Sequence, residues 1–140
     1  MAHGRHIKIL GRGNPQQLGS PAVVESMLTS LVDELGMRLL GQPQMFEVEQ
    51  EIAKLNVEPF EDEGGVTDIA VLSTSHISVH TWPLQREFVM DVYSCRPFDP
   101  DDVRRALLSD LSASDLQLTD LSFALRRTPA AVGLAAAPGS

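Results

Sequence analysis

Residues Val66–Cys95, VTDIAVLSTSHISVHTWPLQREFVMDVYSC, carry the pattern on which the fold turns. They read as three consecutive β segments. From Val66 to Leu72 the apolar residues run almost unbroken, which suits a strand buried on both faces or near the core. Ser73, Thr74 and Ser75 make a polar step, the place for a turn. From His76 the alternation is strict: His76, Ser78, His80 and Trp82 face one way, Ile77, Val79 and Thr81 the other. One face is therefore polar and rich in imidazole. After a turn over Pro83–Glu87, alternation resumes, with Phe88, Met90 and Val92 on one face and Val89, Asp91, Tyr93 and Cys95 on the other. A hairpin there brings Cys95 toward the Ser75 end.

Working outward from this core, His6–Leu10 is a short alternating strand closed by the loop Gly11-Arg12-Gly13-Asn14-Pro15. Its glycines lack the strand-to-helix setting of a phosphate-binding loop. Ser20-Pro21 is a helix start, serine at the N-cap and proline at the first helical position. Val24, Met27, Leu28, Leu31 and Leu35 then recur at helical spacing, and Gly36 suits the C′ position. Met37–Leu40 and Met45–Glu49 read as strand pieces around Gly41-Gln42-Pro43, and Glu49–Val57 as a short helix. Glu58–Gly65 reads as an acidic, turn-rich link. Asp99-Pro100 repeats the cap signal and opens a helix through Val103, Ala106, Leu107 and Leu111. Leu116 to Leu125 forms a last strand with a slip at Asp120. The order β, α, one or two strands, three β, α, β predicts an α+β fold, a mainly antiparallel sheet with helices on one face. Residues 1–127 make the domain, and 128–140, TPAAVGLAAAPGS, a frayed tail.

At 140 residues and 43% hydrophobic, the chain can bury roughly two-thirds of its unfolded surface in one domain. One cysteine excludes an intrachain disulfide framework and favours a reducing compartment. The N-terminal MAHGRHIKIL lacks the apolar run of a signal peptide, and no segment approaches the ~20 apolar residues that span a bilayer. A cytoplasmic protein without a membrane partner is expected. The net charge of −8 argues against nucleic-acid binding through the phosphate backbone.

Two familiar chemistries fit poorly. His76 and His80 share a face, but four residues of extended strand separate them by roughly 13 Å, too far for one ion. No metal site is expected. No G-x-S-x-G elbow surrounds Ser75, and Ser75 and His80 lie on opposite faces of an unbroken strand.

The stretch SHISVHTWP followed by DVYSC resembles the signature of the bacterial and archaeal S-adenosylmethionine decarboxylases, pyruvoyl enzymes that supply the aminopropyl donor for spermidine. Weaker similarity runs from Gly4-Arg5-His6 to about Leu125. The resemblance implies a two-layer α/β sandwich acting as a homodimer of self-cleaved protomers on a small-molecule substrate. It implies that Ser75 attacks the carbonyl of Thr74, that the resulting ester breaks by β-elimination, and that chains 1–74 and 75–140 result. The new terminus at 75 becomes a pyruvoyl group, which forms a Schiff base with the substrate amine and acts as electron sink during decarboxylation. By the same resemblance His80 serves proton transfer in processing. Cys95 returns a proton to the decarboxylated carbon. Thr67 stands where the family has a processing serine.

Two positions depart from the family pattern. Thr74 replaces the usual glutamate before the reactive serine. Leu84 replaces the glutamate of HTWPE that helps hold the ribose hydroxyls, and leucine accepts no hydrogen bond. These departures define two alternatives: the same pyruvoyl chemistry on a basic amino acid such as arginine or ornithine, with Glu61, Asp62 and Glu63 as acidic candidates, or a homologue that neither processes nor catalyses.

Overall fold

The computed structural model describes residues 3–49, 51–54, 59–62 and 64–124. Three strands from the central stretch form its middle: β5 (Gly65–Leu72), β6 (Ser75–Trp82) and β7 (Glu87–Ser94). With β1 (His3–Arg12), β2 (Gln44–Val48) and β8 (Ser114–Asp120) they build a sheet in the order β2-β5-β6-β7-β1-β8. Every pairing is antiparallel. β9 (Phe123–Ala124) pairs with the opposite end of β1. The expected slip at Asp120 is this break between β8 and β9, where Ser122 N–H donates to Asp120 Oδ1 at 2.9 Å and His6 N–H donates to Ser122 Oγ at 2.9 Å.

The helices α1 (Pro15–Leu18), α2 (Pro21–Glu34) and α3 (Pro100–Asp110) cover one face. Ser20 caps α2 as its sequence predicts, accepting from Val23 N–H at 3.2 Å, and Asp99 caps α3 through Asp101 N–H at 2.9 Å. Gly36 ends α2 with φ +68. Met27, Leu28 and Leu31 of α2 and Val103 and Leu107 of α3 join Ile7, Ile9, Ile77, Val79, Phe88, Met90 and Val92 in one core. The other sheet face has no helix over it among the described residues, and the α+β two-layer arrangement follows.

Two expectations change. Residues 51–54, assigned to a helix, form β3 (Glu51–Lys54), which pairs with β4 (Pro59–Asp62) as a separate hairpin. Glu, Ile, Ala and Lys carry helical or neutral propensity, and cross-strand pairing overrides so short a preference. Second, the segment read as an acidic, turn-rich link contains a strand, β4; β5, read as buried on both faces or near the core, takes the latter, with Val66, Asp68, Ala70 and Leu72 buried and Val71 46% exposed. The tail 128–140 lies outside the described residues.

Gly65 at the start of β5 has φ +146, and a Cβ there would stand 1.9 Å from the Thr81 carbonyl oxygen, so only glycine fits. Thr81 explains the closeness. Its buried hydroxyl accepts from Val66 N–H at 2.9 Å and donates to Leu18 C=O at 2.7 Å, tying β5, β6 and α1 together.

Asp68 breaks the apolar row of β5. It is 0% exposed, and neither carboxylate oxygen meets a hydrogen-bond donor at bonding geometry among the described residues. Burial, then the charge of Glu25, push its pKa up to about 6 from 3.8. The folded state therefore holds a proton that the unfolded state has released, so this group's contribution falls as pH rises through that window and is least favourable above about 6. Each pKa unit is about 1.4 kcal/mol. Relative to Asp68→Asn, the wild-type chain should lose about 2 kcal/mol of stability between about pH 4 and about pH 7. Urea unfolding of both proteins across that range measures it; a stability gap independent of pH would mean that the carboxyl titrates normally.

Candidate active site

The β5–β6 connection is two residues long, Ser73 and Thr74, with Leu72 paired to Ser75 across it. Thr74 carries φ +51. Left-handed backbone suits glycine or asparagine, and a β-branched residue held there stores about 1–3 kcal/mol. The strained residue thus immediately precedes Ser75. Thr74 Oγ1 donates to the Ser73 carbonyl at 2.8 Å, a local bond that steadies the turn.

The structure brings Ser75 and Cys95 together across twenty residues, as the hairpin pattern predicts. Cys95 N–H donates to Ser75 Oγ at 3.1 Å. Hydrogen bonds from Thr74 first and Ser75 second, with Arg96 adding its charge, hold the Cys95 thiol below its ordinary value of 9.0. After β7 the chain is turned by Ser94, whose buried hydroxyl accepts from Arg96 N–H at 3.0 Å. These groups open onto a cleft of about 380 Å³ between the turn, the end of β7 and the end of α2. Leu35, Met37 and Arg38 line its α2 side, Ser73–Ser75 and Cys95–Pro97 the other.

His80 and Thr67 are brought together with each other and not with Ser75. They are directly opposed across β5 and β6, with Thr67 Oγ1 3.0 Å from His80 Nδ1. Both lie on the helix-free face. Along β6, five residues separate His80 from Ser75, about 16 Å of extended strand. Leu84 lies in the turn at the far end of β6, 64% exposed, and shares a smaller cleft with Glu47.

Four candidates, Arg38, Arg96, His6 and Asp91, go unmarked by sequence inspection. Arg38 and Arg96 flank the Ser75 cleft, and only the adjacency of Arg96 to Cys95 could have marked either. On the open face, His76 Nε2 lies 2.8 Å from Asp91 Oδ2, and His6 Nε2 lies 2.9 Å from Asp91 Oδ1. Burial alone would raise the Asp91 carboxyl, but hydrogen bonds from His76 and His6 outweigh it and keep it below its ordinary value. Spacing within one strand cannot reveal a group assembled from three.

A two-layer sandwich of one antiparallel sheet and a single layer of helices defines a class already known in solved structures. The crystal structure of the adenosylmethionine decarboxylase from Aquifex aeolicus superposes with a TM-score of 0.66, covering 92% of this chain and 97% of that one at 19% identity, so the fold is shared. The sequence pattern of the family described as S-adenosylmethionine decarboxylase matches residues 9–122. This chain belongs to the S-adenosylmethionine decarboxylase family. Similar relatives include S-adenosylmethionine decarboxylase proenzymes of Parasynechococcus marenigrum, 31% identical over 120 residues (85% of this chain and 80% of the relative), and of Methanococcus aeolicus, 29% identical over 120 residues (84% and 91%). An arginine decarboxylase proenzyme of Caldivirga maquilingensis is 47% identical over 45 residues, 29% of this chain and 35% of that protein.

Proposed function

We propose that the chain is a proenzyme that breaks its own Thr74–Ser75 bond, turns Ser75 into a pyruvoyl group, and decarboxylates S-adenosylmethionine in the cleft beside Cys95. The observation that carries this is the serine hydroxyl set next to a strained residue and a cysteine, in a chain of this family. Ser75 Oγ adds to the Thr74 carbonyl carbon, the C–N bond breaks, and the hydroxyl proton passes to the amine. Loss of the Ser75 Hα then expels the Thr74 carboxylate, and water replaces the resulting enamine nitrogen, which leaves as ammonia. Cleavage frees Thr74 from its left-handed backbone, so part of the strain favours the step.

The pyruvoyl carbonyl supplies an electron sink for a substrate amine as CO2 departs. Cys95 stands ready to give a proton at the same cleft. Supply of the aminopropyl donor for spermidine, and a cytoplasmic setting, follow from this reading.

Within one chain His80 and Thr67 face away from Ser75, so we assign their processing role to a homodimer in which the open faces meet. Phe46, 62% exposed, and Val71 are apolar groups that such a contact would cover. Leu84 and Glu47 share a cleft at the far end of β6 from Ser75, so within one chain neither reaches a substrate held beside Cys95. Arg38 and Arg96 at the Ser75 cleft offer partners for a substrate carboxylate, and their charge does not separate the sulfonium cation S-adenosylmethionine from arginine or ornithine.

Intact-mass analysis should give two fragments, 1–74 and a pyruvoyl-bearing 75–140, and native mass a dimer of that pair. Carboxyl-labelled S-adenosylmethionine should release CO2, and labelled arginine and ornithine should not. Fragments with turnover of arginine alone would retain the chemistry and replace the substrate; a chain that stays whole would overturn the proposal.

A further inference from the structure

We propose that Arg38 is the receptor for the carboxylate that cleavage creates at Thr74, and that it draws this leaving group out of the Ser75 site. The inference rests on the processing chemistry proposed above. Arg38 is held by backbone pairing at the end of β5. Just after Gly36, Met37 N–H donates to Val32 C=O at 2.9 Å, and the chain then runs beside β5. Ser73 N–H donates to Arg38 C=O and Leu40 N–H to Val71 C=O, both at 2.9 Å, with Leu39 bridged to Leu72 between them. Residues 38–40 thus form a short ladder along the arm that carries Thr74, one residue beyond Ser73. Arg38 and Thr74 both line the cleft of about 380 Å³ that Ser75 opens onto. Both also belong to fragment 1–74, so cleavage leaves their backbone connection intact.

The charges divide between two arginines. Arg96 is engaged with the neighbouring Cys95 thiol. Arg38 is exposed and takes part in no ion pair among the described residues. In the elimination step the Ser75 Cβ–Oγ bond breaks with its electron pair and oxygen staying on Thr74, while the Ser75 Hα passes to the processing histidine, His80 of the homodimer. Negative charge therefore grows on two oxygens that a guanidinium fork matches. That charge is permanent. A substrate carboxylate loses its charge as CO2 departs, so a strong ion pair to it would slow that step, and Arg96 is the arginine left for it. An unpaired Thr74 carboxylate would instead remain beside the pyruvoyl group and repel the substrate's own. Release from φ +51 gives Thr74 the freedom to turn toward Arg38.

The test follows processing of the freshly translated full chain by intact mass, with and without hydroxylamine, which cuts esters and spares amides. Wild type should pass from whole chain to fragments 1–74 and 75–140 with little trappable ester. Arg38→Gln should form the ester and stall, so that hydroxylamine releases 75–140 with serine rather than pyruvoyl at its start. Elimination should slow at least about tenfold, less than the loss of a fully buried donor because Arg38 is exposed. Arg38→Lys keeps the charge and should recover most of the rate. Arg104→Gln, at an exposed position of α3, should process as wild type. In processed enzyme carrying carbon-13 at threonine carbonyls, Thr74 alone ends a chain, and its carboxylate should titrate roughly one pH unit lower in wild type than in Arg38→Gln. Unchanged processing of Arg38→Gln, a stall without hydroxylamine-sensitive ester, or equal titration in the two proteins overturns the receptor and leaves the proposed chemistry standing. A wild type that stays whole overturns both.

Discussion

Replacing Ser75 by alanine should leave the purified chain at its full-length mass and without decarboxylase activity. The substitution removes only one oxygen, the acceptor of the Cys95 N–H bond at 3.1 Å, so the native fold should lose about 1 kcal/mol. Function loses far more. Without the hydroxyl no ester forms, without the ester there is no elimination, and without elimination no carbonyl electrophile exists. Activity should fall at least about 10⁶-fold, the lower range of enzymatic acceleration. Circular dichroism and the unfolding midpoint establish that the variant folds, and the mass spectrum reads the outcome directly. If Ser75→Ala still yields two fragments, cleavage starts elsewhere and the role given to this residue is wrong.

Replacing Cys95 by serine separates the two stages of the chemistry. Processing should continue, since the backbone N–H that faces Ser75 Oγ is kept. Turnover should fall about 10²–10⁴-fold, the scale of a lost general acid. The pH profile gives a second signature. A proton donor must be protonated, so kcat of the processed enzyme should decline as pH rises through the titration of the Cys95 thiol, which the charge of Arg96 still favours as thiolate once cleavage has removed the Thr74 and Ser75 hydrogen bonds. A serine hydroxyl does not titrate in that range, and the variant's residual rate should lack the alkaline limb. Uncleaved Cys95→Ser would move the cysteine into processing, and unchanged kcat would remove it from proton return.

Much of the sheet was legible because alternation is a strong signal where one face is buried. The hairpins around β6, the faces of His76 to Trp82, and the meeting of Ser75 with Cys95 all follow from residue parity and two turns. Ser20-Pro21 and Asp99-Pro100 located both long helices because a capping side chain and a proline constrain the same turn. Parity could not reveal Asp68 as a buried carboxyl, since nothing in VTDIAVL distinguishes a charged residue on the covered face from one in water until the helices are placed. The short β3 strand has too few residues for propensity to outvote its partner. The left-handed backbone at Thr74 is also hidden, because threonine is a residue that normally avoids it. His6 and Asp91 lie 85 positions apart, and only the register of β1 against β7 makes them neighbours.

The strand order carries a consequence for a chain opened at the β5–β6 tip. Residues before the break supply β1, β2 and β5, while those after it supply β6, β7 and β8. In space they alternate, so the two polypeptides meet where β5 pairs with β6, β7 with β1, and β1 with both β8 and β9. They are interlocked like the fingers of two hands. Neither piece can leave without tearing the sheet, and once parted in denaturant they must find each other again as separate molecules.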